Sequence, residues 1–196
     1  MGRGVSAAAL LFLLLIVAGC ASVGTRQVED VTHAYTAHLG LEKAWWVTFA
    51  PRPDPNSAAN GLARPRAYQS AILSYFDDPS VTAQLPTEAA ADLAQSGAVF
   101  SGRADLDRDG AVELYRTGFA LSPDGSRTSF LAVWENGRLL HTEFEEAQRS
   151  RNVFSALALP QDGREGSWLF CLSCGDFFSF SLQDKRLKFS AKEPGL

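Results

Sequence analysis

The sequence predicts an α+β protein, with helices in the N-terminal half followed by a C-terminal antiparallel β-meander. Two observations carry this. Apolar residues recur at steps of three and four before Gly97, and from Ala98 onward they alternate. A third concerns the meander itself: LSPDGSRTSFLAVWENGRLLHTEF (121–144) lies over LPQDGREGSWLFCLSCGDFFSFSL (159–182) without gaps, at an offset of 38 residues. Leu, Asp-Gly, Ser, Leu and Gly coincide, which suggests a duplicated three-stranded unit. The 196 residues suffice for one domain, with or without a small helical annex.

The chain opens with Arg3 and an unbroken apolar run from Ala7 to Ala18, too short to span a bilayer but suited to the core of a signal peptide. It ends in Val17-Ala18-Gly19-Cys20, which resembles a bacterial lipobox at every position. That resemblance implies cleavage before Cys20 and acylation of Cys20, for example by palmitate. Several acyl chains on one residue meet the requirement for stable membrane attachment. Ala21, where similar lipoproteins retained at the inner membrane carry aspartate, implies an outer-membrane lipoprotein of the cell envelope, facing the periplasm or the surface. On this reading residues 1–19 are a signal peptide and 20–27 a lipidated tether. A helical region spans 28–97 and a β-meander domain 98–196. Loss of Arg3 with the leader takes the formal net charge from −4 to −5, which argues against nucleic acid as a partner.

Within the helical region, Val28, Val31, Tyr35 and Leu39 mark an amphipathic helix between Thr25 and Gly40. Trp45-Trp46-Val47-Thr48-Phe49 is aromatic and β-branched and favours a strand, with a helix continuing through Glu42 as the alternative. Residues 50–66 carry four prolines and an Asn-Gly without a hydrophobic period, and read as a loop or linker. Pro65 then opens a helix with Tyr68, Ala71, Ile72, Tyr75 and Phe76 on one face, stopped by Asp77-Asp78-Pro79. A further helix runs from a Thr87 cap to Ser96, with Gly97 past its end.

In the β-region, Tyr115, Thr117, Phe119 and Leu121 alternate with Arg116, Gly118 and Ala120. Strands at 130–134 and 139–144 flank Asn136-Gly137, a strong hairpin signal because both turn residues must take positive φ. A last strand, Arg186 to Ser190, follows a turn at Gln183-Asp184-Lys185.

One stretch has metal-site chemistry at a defined spacing: Asp105-Leu106-Asp107-Arg108-Asp109-Gly110-Ala111-Val112-Glu113. Alternate carboxylates converge on a hard cation when a glycine lets the loop turn. Asp105, Asp107, Asp109 and Glu113 would offer carboxylates and Ala111 a backbone carbonyl. The twelfth position is Arg116 and a strand follows, so the loop is not an EF-hand. Residues 102–121 are similar instead to the DxDxDGxxE calcium loops of FG-GAP and VCBS β-repeats. That resemblance implies calcium on a hairpin, although the second unit lacks the acidic ladder. With all ligands from one loop, such an ion is structural rather than catalytic. The competing reading is a solvated acidic turn.

Beyond Cys20 the cysteines are Cys171 and Cys174. An oxidising compartment permits a disulfide between them, provided that 171–174 forms a turn, since an extended strand would separate their Cα atoms by about 10 Å. A redox CxxC is disfavoured by the strand pattern that follows, and a zinc knuckle lacks two further ligands. His33, His38 and His141 show no paired spacing, and there is no G-x-S-x-G. The expectation is therefore a lipid-anchored, non-enzymatic binding or structural protein with a calcium-stabilised β-domain and a protein or glycan partner. The alternative is a periplasmic redox accessory or hydrolase using Cys171 and Cys174 or the acidic loop.

Overall fold

Alternation along residues 113–121 sends Glu113, Tyr115, Thr117 and Phe119 to one side of a strand and Leu114, Arg116, Gly118 and Ala120 to the other. In the computed structural model, which describes residues 44–145, 150–160, 165–173 and 177–191, this strand is the middle of the molecule. Strands β1 (Ile72–Tyr75), β2 (Ser101–Ala104), β3 (Glu113–Leu121), β4 (Arg127–Glu135) and β5 (Arg138–Phe144) form one sheet. Its order is β1-β3-β4-β5, with β2 also on β3. Strands β6 (Ala156–Ala158), β7 (Gly166–Leu169), β8 (Phe177–Gln183) and β9 (Arg186–Ala191) form a second sheet in chain order. All pairings within the two sheets are antiparallel. The described helices are short: α1 (Trp45–Thr48), α2 (Pro79–Thr82) and α3 (Ala89–Ser96), with 3-10 turns at Ala58–Gly61 and Arg66–Tyr68. The protein is β-rich, and all the described residues fall in one compact unit, Lys43–Leu196.

Both faces of the first sheet are covered, which is why consecutive residues are buried along Thr117–Ala120 of β3 and Thr128–Val133 of β4. Tyr115, Leu131 and Val133 pack with Leu157, Trp168, Phe180, Leu182 and Leu187 of the second sheet. On the opposite face Leu73, Tyr75, Ala120, Phe130, Ala132 and Phe144 pack with Ala59, Leu62 and Tyr68. At one end, Phe49, Phe76, Phe100, Phe119 and Phe154 gather with Trp45 into an aromatic cluster.

Three local expectations are corrected. The 45–49 segment is a single helical turn rather than a strand. Trp45 is buried edge-on against Trp46, Phe49 and Phe154, and its indole N–H donates to Asp92 at 2.9 Å. Tertiary burial of those rings outweighs β-propensity. The helix expected after Pro65 is a 3-10 turn followed by β1. Leu73, Ser74 and Tyr75 are consecutive and buried, as suits a strand covered on both faces and not an amphipathic helix. Residues 50–66 are a loop, as one of the two readings has it, but a packed cover and not a linker. Ala59 and Leu62 are buried, Ser57 Oγ accepts from the Ala59 N–H at 3.1 Å, and Asn60 Oδ1 accepts from the Leu73 N–H at 2.9 Å.

Other expectations match. Helix α3 ends at Gly97, in the left-handed region with φ 67°, although Glu88 and not Thr87 sits at its N-cap. The Asn136-Gly137 turn has φ of 50° and 78°, and the Gln183–Arg186 pair is joined by Asp184 and Lys185 at 51° and 59°. The expected 28–39 helix and residues 1–27 lie outside the described residues. Among the described residues no helix is long and apolar enough to cross a membrane.

Candidate cation site

The acidic stretch becomes the connection of a hairpin, because Ala104 of β2 pairs with Glu113 of β3 and the residues between them loop out. Leu106, 3% exposed, drops into the core shared with Tyr115, Leu131 and Leu157 and anchors the loop from below. The aspartates on either side of it, Asp105 and Asp107, are part-buried. Carboxylates then organise the backbone. Asp105 accepts from the Gly110 N–H (3.1 Å), Asp107 from the Asp109 N–H (3.3 Å), and Asp109 from the Ala111 N–H (2.8 Å). Arg108 (φ 58°) and Gly110 (φ 90°) supply the left-handed turns that fold the ladder back on itself.

Two overlapping triads result. Asp105, Asp107 and Asp109 can each offer an oxygen within 4.8 Å of the others, and so can Asp109, Glu113 and Glu135. The second triad reaches across the sheet: Leu114 pairs with Trp134, which sets Glu113 of β3 beside Glu135 of β4. Glu113 has no exposed surface. Its Oε2 accepts from the Tyr115 hydroxyl at 3.3 Å, while its Oε1 is buried with no hydrogen-bond partner, as is Asp105 Oδ1.

The electrostatics follow from this crowding. Burial, and next the charge of Asp107, push the Glu113 carboxyl above its ordinary range. Such a group weakens the fold above the raised value, and the penalty is relieved as the pH falls through that value towards the unfolded one. Burial and the neighbouring Glu113 also push the Tyr115 phenol up. A cation of the chain itself, Lys185 from the β8–β9 turn, reaches the site. Its Nζ lies 2.5 Å from Glu135 Oε1 and 3.2 Å from Asp107 Oδ2, and it contacts Asp109. The hydrogen bond from Lys185 holds Asp109 below the usual carboxylate range, and the same contacts raise Lys185.

Of the site residues expected from sequence, Asp105, Asp107 and Asp109 thus form one triad and Asp109 and Glu113 belong to the second, while Ala111 joins through its N–H, which donates to Asp109. Cys171 is buried and disulfide-bonded, while Cys174 and Cys20 lie outside the described residues. His141 Nε2 is 3.1 Å from Glu143 Oε2, and His33 and His38 lie outside the described residues. Arg116, at the would-be twelfth position, faces away. Its guanidinium stacks 3.6 Å over the Tyr75 ring and pairs bidentately with Asp77. It lines a cavity of about 480 Å³ with Tyr75, Arg103, Leu114, Trp134 and Asn136. Glu135 and Lys185 had no signal in the sequence, being 22 and 72 residues from Glu113, and only the sheet pairing brings them in.

No protein-family model, curated protein or solved structure matches this chain.

Proposed function

We propose that this is a lipid-anchored cell-envelope protein of binding or structural role, without enzymatic chemistry, whose β-rich domain is braced by one calcium ion at Asp105, Asp107, Asp109, Ala111 and Glu113. The observation that carries the calcium reading is Glu113, a wholly buried carboxyl with an unpartnered oxygen beside other carboxylates. Leaving such a group unsatisfied costs about 1–3 kcal/mol or more. An all-oxygen donor set suits a hard cation. The ion would tie β2, the loop and β3 together, a structural task in which no substrate position is left open. The anchor rests on Val17-Ala18-Gly19-Cys20, and we take Cys174 as the partner of Cys171. The aromatic and arginine lining of the 480 Å³ cavity is suited to a glycan or protein partner.

The same reading treats the fold as α+β with a duplicated β-unit. Shifting β3, β4 and β5 by 38 residues overlays them on β6, β7 and β8 in chain order, which is what supports it, although the pairing registers differ, by one residue between β6 and β7 and by three to four between β7 and β8.

Thermal melting tests the brace. At a hundredfold excess over Kd, calcium should add about 2.7 kcal/mol and raise the midpoint by roughly 5–10 °C, reversed by EDTA. Glu113→Gln should abolish that increment while raising the metal-free midpoint, because it removes a buried charge. An unchanged midpoint on calcium addition to the wild type would exclude the ion. For the anchor, Cys20→Ala should leave unprocessed precursor that fails to label with palmitate, and normal maturation of that variant would exclude lipidation.

A further inference from the structure

The contacts of Lys185 with Glu135, Asp107 and Asp109 match the three donors of an ammonium. Two further carboxylates of the same cluster, Asp105 and Glu113, each keep a buried oxygen without a partner. Lys185 therefore contacts three of the five carboxylates, Asp105, Asp107, Asp109, Glu113 and Glu135, that make up the two triads sharing Asp109. A divalent cation takes six to eight oxygens and could engage all five, but not with an ammonium already among them: two cations a few ångströms apart repel, and they would compete for the same oxygens.

We propose that Lys185 is a tethered occupant of the cation site, and that a divalent cation binds Asp105, Asp107, Asp109, Glu113 and Glu135 by displacing it, releasing the β8–β9 turn from the loop. This rests on the calcium reading of the loop and extends it in two ways. The ligand set includes Glu135 from the adjacent strand, and the second sheet supplies an internal competitor. Metal-free, the two sheets are clamped through Lys185. Loaded, the loop is braced by the ion and the turn is free. Lys185 is well placed to leave, since it lies on a two-residue turn and is one-third exposed, so its stem can swing into solvent without disturbing the core.

Calcium titration calorimetry on the intact wild-type chain and on Lys185→Met tests the competition. If the lysine-free state is about a tenth of the population, removing the lysine should tighten calcium binding about tenfold. Acetylation with an N-hydroxysuccinimide ester, read by mass spectrometry, reports displacement in the wild type, where Lys185 should be protected in EDTA and reactive at saturating calcium. This arm decides the matter if Lys185→Met does not fold. Equal or weaker calcium binding by a folded Lys185→Met, or a Lys185 equally protected with calcium bound, overturns the displacement and leaves the calcium site standing. No binding by either protein overturns both.

Discussion

Phe76→Ala should destabilise the domain by about 3–5 kcal/mol, a large fraction of the roughly 5–15 kcal/mol that holds a domain folded. Phe76 has no exposed surface and is the hub of the aromatic cluster. Its ring lies 5.3 Å from Phe119, 5.4 Å from Phe100, and 6.4 Å from both Phe49 and Phe154. These neighbours come from both the N-terminal cover and the strands, so the cavity left behind would be lined from several elements and could not collapse by moving one of them. The backbone there is also committed, because the Phe76 N–H donates to the Thr117 carbonyl at 3.0 Å. Chemical denaturation checks this. The midpoint should fall with little change in slope, and a loss under about 1 kcal/mol would show that the cluster is not the packing centre described.

The second large effect comes from adding atoms. Gly118→Ala should cost at least about 1–3 kcal/mol, the usual range for overpacking, and Gly118→Val considerably more. A Cβ at Gly118 would lie 2.3 Å from the Phe130 ring and 2.4 Å from the Ser74 carbonyl oxygen. The ring could turn aside only by leaving its place against Tyr75 and Phe144. The Ser74 oxygen is backbone of β1, which pairs with β3 here, so relief requires the two strands to separate. Because the clash falls on β1, hydrogen exchange in Ile72–Tyr75 should accelerate most in the alanine variant. Exchange that rises uniformly across both sheets would instead mean that the strain is absorbed globally.

These two sites differ in how far the sequence reveals them. Gly118 sits in a clear alternating run, so its strand could be read directly, but not the close approach of β1. Phe76 is misplaced on a helix, since Tyr68, Ala71, Ile72, Tyr75 and Phe76 fit a helical face although Ile72–Tyr75 is a strand. Short apolar runs are ambiguous in this way because a segment covered on both sides loses its period. The 45–49 turn misleads for a related reason: ring burial against Phe154 and an indole bond to Asp92 are long-range facts. Likewise the prolines of 50–66 suggest a loop or linker, yet Ala59, Leu62 and the side chain of Asn60 bind that stretch to β1 and its neighbours.

For the candidate site the division is similar. Local chemistry alone determined the acidic loop: aspartates at alternate positions, a glycine at the turn and a glutamate on the following strand can be read without a fold, because each acts within a few residues of itself. The same holds for the two-residue turns at Asn136-Gly137 and Asp184-Lys185, and for the alternation that makes the C-terminal half β-rich. Tertiary structure decided what that loop faces. Burial of Glu113 depends on the packing around Tyr115, the approach of Glu135 on the register of β3 against β4, and the arrival of Lys185 on the second sheet covering the first. Charge neutralisation acts through space, and here it joins groups that the chain keeps far apart.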